Sequence, residues 1–277
     1  MILINGVETD HIAVNDRGFQ YGDGLFETIE IVDGKPVFLE QHLLRLSTDC
    51  CKLNIPKPYI KQLTDEIHHI CKDSKQAVVK IIITRGVGGR GYRQPEAIQP
   101  TRVVSLHPFP EYPKSHSEQG INARFCNTRL GLNPALAGVK HLNRLEQIMA
   151  RAEWDDPTIQ EGIISDINDH VIEGTMTNIF YVKDSIIYTA TLTLSGVSGV
   201  MRGIIKALIA EHKLTLIEHD YHKDVLLAAD EVFVCNAIIG IWPIRQIENV
   251  SFTVGNVTSQ LQTWLVHSKE QVCVDAT

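Results

Sequence analysis

Three short turns constrain this chain more than any other feature. Asn5-Gly6, Asp33-Gly34 and Asp184-Ser185 each stand between two apolar stretches. A two-residue turn of this kind folds a strand straight back on its neighbour, so the strands it joins are antiparallel. "LFETIEIVDGKPVF" is the clearest case, and "GIISDINDHVIEG" gives two more strands around Asn168-Asp169. "AVVKIIITR", "TRVVSLHPF" and "EVFVCNA" read as further strands. Leu39 to Leu53 places Leu43, Leu46, Cys50 and Leu53 on one helical face, and Ile60 to Cys71, "GVMRGIIKALIAEH" and Val257 to Val266 predict helices as well. Helices and hairpins mixed along the chain imply an α+β fold of two α/β domains with largely antiparallel sheets. "HPFPEYPKSHSEQG" has no period and three prolines, which reads as a linker. The expected division is residues 1–110, a linker at 111–120, and a larger domain at 121–277 that carries Lys140.

Composition excludes several classes. With 44% hydrophobic residues and a net charge of −7, the chain has an ordinary core and no basic footprint for nucleic acid or an anionic membrane. No apolar run approaches the ~20 residues of a membrane span, and "MILINGVETD" lacks the form of a signal peptide. Six scattered cysteines without a C-x-x-C pair fit a reducing cytoplasm and neither a metal site nor a disulfide framework. The expectation is therefore a cytoplasmic protein without a metal, whose Asn249-Val-Ser and Asn256-Val-Thr are chance matches to the glycosylation pattern.

Other motifs fail on their surroundings. "GVGGRG" matches G-x-G-x-x-G, but "YRQPEAIQPT" follows and cannot open the helix that a dinucleotide needs. A loop rimming a pocket, with Arg85, Arg90 and Tyr92, fits better. "SGVSGV" is not the serine-nucleophile elbow, and adjacent His68 and His69 make a poor chelate.

Four fragments belong together: "EQHLLRL" at 40–46, "GVKHLNRLEQ" at 138–147, "VIEGTMTNIF" at 171–180 and "GVSGVMR" at 196–202. In order and content they resemble the fold-type IV pyridoxal 5'-phosphate enzymes, as do "NDRGFQYGDGLFET" near the start and "ADEVFVCNA" near the end. The resemblance covers nearly the whole chain. It implies a homodimer that acts on a small-molecule substrate, with Lys140 as the lysine that carries the cofactor and later moves protons. Glu173 would face the cofactor's ring nitrogen. Arg45, the main-chain amides of Val200 and Met201, and the turn at Asn236 and Ala237 would hold its phosphate. Phe26 would line the pocket, and Arg85, Arg90 and Tyr92 are candidates for the substrate's carboxylates. Within the family, "RGVGGRGY" and "LNPALAGVKHLNRLEQ" are most similar to the aminodeoxychorismate lyases. That implies conversion of 4-amino-4-deoxychorismate to 4-aminobenzoate and pyruvate, a step toward folate. Transamination of D-amino or branched-chain amino acids is the alternative.

Overall fold

The structure, a computed structural model, describes residues 1–275, with side chains through Gln271; the last two residues of the expected 121–277 domain and the Cys273 side chain lie outside what it describes. The chain divides into two compact units. The first comprises residues 1–110, 139–143 and the chain from Lys269 onward; the second comprises 111–138 and 144–268.

Unit 1 holds β1 (Ile2–Ile4), β2 (Val7–Glu8), α1 (Arg17–Tyr21), β3 (Gly24–Val32), β4 (Lys35–Pro36), α2 (Leu39–Lys52), α3 (Ile60–Cys71), β5 (Gln76–Thr84) and β6 (Thr101–Pro108). Its strands form one sheet in the order β2-β1-β6-β5-β3-β4, antiparallel throughout. The turns work as their residues require: Asn5, Gly6, Asp33 and Gly34 all have positive φ, which matches hairpin twist. Alternation along β3 sends Leu25, Ile29 and Ile31 into a core shared with Leu43 and Leu46 of α2 and Leu63 and Ile67 of α3. Phe26, Thr28 and Glu30 take the other face.

Unit 2 holds α4 (Ser115–Glu118), β7 (Ile121–Leu130), α5 (Leu145–Arg151), β8 (Glu161–Asp166), β9 (Val171–Gly174), β10 (Asn178–Lys183), β11 (Ile186–Thr189), α6 (Val200–Glu211), β12 (Leu216–Glu218), α7 (Lys223–Leu227), β13 (Glu231–Asn236), β14 (Gly240–Ile247), β15 (Val250–Ser251) and most of α8 (Asn256–Asp275). Its sheet runs β12-β11-β10-β13-β14-β7-β8-β9, with β15 beside β14. It is mixed: β7 lies parallel to both β8 and β14, and β11 parallel to β12. The remaining pairings are antiparallel.

Two features differ from the sequence reading. The linker at 111–120 contains a turn of helix, α4. Residues 139–143, Lys140 among them, group with unit 1 while the chain on either side belongs to unit 2, because residues 139–142 are bonded to β3 and α2.

Candidate active site

In unit 1 the short strand β4 pairs only with Ile31 and Val32, so the start of β3 has an open edge. Residues 140–142 fill it. The Leu142 amide donates to the Gly24 carbonyl at 3.0 Å and the Phe26 amide to the Lys140 carbonyl at 3.1 Å, while Leu25 and His141 form an antiparallel bridge. A Cβ on Gly24 would stand 2.8 Å from Leu142 Cδ1 and 2.5 Å from the Ile83 carbonyl oxygen, so the close approach needs glycine. Val139 enters the unit 1 core. The Lys140 amide points away from β3 and donates to Asp49 Oδ2 at 3.0 Å. Both main-chain groups of the lysine are thereby fixed, and its amine stands 4.2 Å from the centroid of the Phe26 ring.

Asp49 belongs to a polar row on the buried face of α2. His42, Arg45 and Asp49 share that face by helical spacing. Arg45 grips the Glu27 carboxylate through Nε at 2.7 Å and Nη2 at 2.5 Å, and His42 Nδ1 meets Glu27 Oε2 at 2.6 Å. Burial alone would raise the Glu27 pKa; the Arg45 charge and the His42 bond outweigh it and bring it down to about 2. Burial holds His42 below the usual histidine range, so it is neutral and donates from Nδ1. Burial raises Asp49 against the opposing Lys140 amide.

In unit 2, Glu173 lies near the end of β9, buried at 4% exposure. Its Oε2 accepts from the Val197 amide at 2.8 Å and its Oε1 from Gln147 Nε2 at 3.2 Å. Burial lowers the Arg144 pKa, and the charges of Glu173 and Glu146 oppose that shift. The loop after Glu173 is pinned from below by Glu161, fully buried, which accepts from the Thr175 and Thr177 hydroxyls and the Thr175 amide. Residues 196–198 are fixed against Gly138: the Gly138 amide donates to Gly196 and the Ser198 amide to Gly138, both at 3.0 Å. Gly196 has φ +82°, and a Cβ there would lie 3.3 Å from Glu173 Oε2. Helix α6 starts immediately afterwards, with Gly199 as its cap and no side chain bonded to its first amides. Its first amides, those of Val200 and Met201 among them, have no partner within the helix and can serve an anion.

Residues 24–247 match the amino-transferase class IV family. The chain belongs to this family. It is 37% identical to an aminodeoxychorismate lyase of Vibrio harveyi, over 95% of this chain and 98% of that one. Its fold matches the crystal structure of the 4-amino-4-deoxychorismate lyase of Pseudomonas aeruginosa with a TM-score of 0.93 and 40% identity, covering 96% of this chain and 98% of that one. Against the branched-chain amino acid aminotransferase of Escherichia coli the TM-score is 0.87 and the identity 26%, covering 96% and 93%. The class IV aminotransferase-like fold is thus the architecture described above, and the chain is a pyridoxal 5'-phosphate enzyme.

The donor set fits that cofactor. An amine is available for an aldehyde at Lys140, a buried carboxylate for a ring nitrogen at Glu173, and uncapped helix amides for a phosphate at α6. Unit 1 brings together Lys140, Phe26 and Arg45's Glu27 network; unit 2 brings together Glu173, Val197 and the α6 start. The Asn236 side chain is occupied: Oδ1 accepts from the Ile238 and Ile239 amides of its own turn, and Nδ2 donates to the Met176 carbonyl in the loop after β9.

Arg85 departs from the expectation. It is 4% exposed, and its guanidinium donates to Asp23 and to the carbonyls of Leu53 and Asn54. Four internal bonds make it a strut under the loop, not a rim residue. Arg90 and Tyr92 do sit on that loop and are exposed. Arg17 ties the loop down through the Gly91 carbonyl at 3.0 Å, and Tyr21 packs edge-on to Tyr92 at 5.6 Å. The sequence reading missed Glu27, Asp49 and Gln147. For the first two a signal existed: an acid at an inward position of β3, and a second acid on the apolar face of α2.

Proposed function

We propose that the chain is an aminodeoxychorismate lyase that converts 4-amino-4-deoxychorismate to 4-aminobenzoate and pyruvate. The supporting observation is identity of 37% and 40% to two such lyases over nearly the full chain, against 26% for the branched-chain aminotransferase. Lys140 holds the cofactor at rest. Glu173 holds the proton of the cofactor's ring nitrogen, aided by the fixed amides around its carboxylate. The amides of Val200 and Met201, the turn at Asn236 and Ala237, and Arg45, whose fork Glu27 pre-orients, bind the phosphate. When bound, the cofactor would supply an aldehyde for the substrate amine and a ring that draws electrons from the carbon bearing that amine. Lys140 Nζ would take the proton from C4 of the substrate. The C3–O bond to the enolpyruvyl group breaks, the ring becomes aromatic, and the departing enolpyruvate receives a proton and becomes pyruvate. Phe26 lies under the amine and keeps water from it. Arg90 and Tyr92 face solvent on the loop and offer a cation and a hydroxyl to a substrate carboxylate.

The exposed apolar face of α5 supports a homodimer as the working form. Among the described residues five cysteines are free of disulfides, which supports a cytoplasmic setting. No helix among the described residues is long and apolar enough to cross a membrane.

The test is an assay with aminodeoxychorismate in which 4-aminobenzoate and pyruvate are measured together. They should appear in equal amounts, and Lys140→Ala should reduce turnover by roughly 10³-fold or more and lose the cofactor mass trapped on the lysine by borohydride. Glutamate formed from 2-oxoglutarate with leucine or D-alanine, without 4-aminobenzoate, would overturn the reading in favour of a transaminase.

A further inference from the structure

Two lysines approach the ring of Phe26. One is Lys140, at 4.2 Å; the other is Lys80, whose amine is 5.6 Å from the same centroid. Lys80 reaches it from β5. Its direct cross-strand partners are Thr28 on β3 and Ser105 on β6, and Phe26 is opposite Ile82. Direct partners share a face, so Phe26, Thr28, Lys80, Ile82 and Ser105 form one continuous surface. The other face of the same strands carries Ile29, Ile81 and Glu27 and is covered by α2.

Among the described residues no carboxylate is bonded to Lys80. Among the described residues it makes no ion pair, although it is half-buried. The acid on this face, Glu30, is already taken by Lys269 at 2.6 Å. Ser105 is neutral and bonds His107 and the Lys80 carbonyl. A partly desolvated ammonium without a counter-ion is unfavourable in the unliganded protein, and an arriving carboxylate relieves the cost.

We propose that Lys80 binds the ring carboxylate of the substrate, and so helps to select a cyclic amino acid whose amine and carboxylate lie at opposite ends of one six-membered ring. This rests on the lyase reading above and names a residue of its substrate site. With the substrate amine at Lys140, a carboxylate one ring-length away falls on the side of Phe26 where Lys80 stands. Leucine and alanine carry amine and carboxylate on one carbon and lack that separation. The same carboxylate persists in 4-aminobenzoate, so product binding uses the same contact.

The experiment compares wild-type holoenzyme with Lys80→Met, which keeps the stem and removes the charge, and Lys80→Arg, which keeps the charge. Lys80→Met should raise KM for aminodeoxychorismate and weaken 4-aminobenzoate binding, by calorimetry, about tenfold or more, the scale of a lost charge-assisted hydrogen bond. Its kcat should stay within about threefold, and the cofactor trapped on Lys140 by borohydride and the melting temperature should match wild type. Lys80→Arg should recover most of the binding. Should Lys80→Met melt early, Lys80→Gln carries the same expectation with a polar side chain. Wild-type binding of 4-aminobenzoate in the uncharged variants, or a loss of kcat with KM unmoved, would overturn the assignment. A wild-type enzyme that neither binds 4-aminobenzoate nor releases it from aminodeoxychorismate would refute the lyase reading, and this assignment with it; a wild type that does both, beside unaltered variants, refutes the assignment alone.

Discussion

Glu27 faces inward from β3, where its neighbours Leu25, Ile29 and Ile31 are core. An unpaired carboxylate there would be prohibitive. Arg45 and His42 make it tolerable, and the consequence can be measured. Its pKa is lowered from 4.5 to about 2. A lowered carboxyl stabilises the fold above its unfolded pKa, and that stability fades as pH falls from about 4.5 through 2. Glu27→Gln should therefore cost about 3 kcal/mol at pH 7, leaving Arg45 without its counter-charge, and should flatten the acid limb of the stability curve. Urea unfolding at pH 7 and pH 3 measures both. A variant with the wild-type slope between those pH values would show that the charge contributes nothing. The same residue exposes a limit of sequence reading. Arg45 reads from "HLLR" as a ligand for an external phosphate, yet its fork is first of all a partner for an internal acid 18 residues away, and periodicity does not announce which role comes first.

Helix α2 registers the reactive lysine at its C-terminal half. Asp49 accepts the Lys140 amide, and β3 takes the Lys140 carbonyl from the other side. Asp49→Leu keeps the volume and strands a buried amide, which costs about 1–3 kcal/mol, and the loosened main chain should lower kcat about tenfold with KM little moved. Asp49→Asn retains an acceptor and should stay near wild type. Protection of the Lys140 amide in hydrogen exchange reports the contact directly: unchanged protection in the leucine variant would refute it. Elements of this kind were legible where the signal was local. The hairpin turns, the α2 and α3 spans and the strands of unit 1 follow from turn residues and from periods of two and 3.6. The docking of residues 139–142 on β3 joins positions more than a hundred apart, and no local pattern encodes it. Leu142 is bonded to Gly24 as a strand residue, and α5 begins only at Leu145. The parallel pairings of β7 escaped for the same reason, since a crossover leaves no turn signature.

At the scale of the molecule, α5 poses the question of assembly. Leu145, Ile148 and Met149 stand at i, i+3 and i+4, and they are 72%, 61% and 62% exposed. Helical spacing puts them on one face, and a surface helix normally turns such a stripe inward. Here the inward side of the helix is supplied instead by Ala150, buried, and by Gln147 on Glu173. An apolar stripe left in water on a helix that also carries a contact to Glu173 is what a subunit interface requires, and it would tie dimerisation to the setting of Glu173 through Gln147. Sedimentation of the wild type should then give twice the 31.0 kDa of one chain. The double variant Ile148→Glu, Met149→Glu places two charges in the stripe and should sediment as one chain at the same concentration, with unchanged far-ultraviolet circular dichroism. If α5 matters only for assembly, the monomeric variant should still trap cofactor on Lys140; if the interface also steadies Gln147 against Glu173, the absorbance of the bound cofactor should titrate at a different pH. A wild type that sediments as a single chain would remove the dimer, and the stripe would then need another occupant.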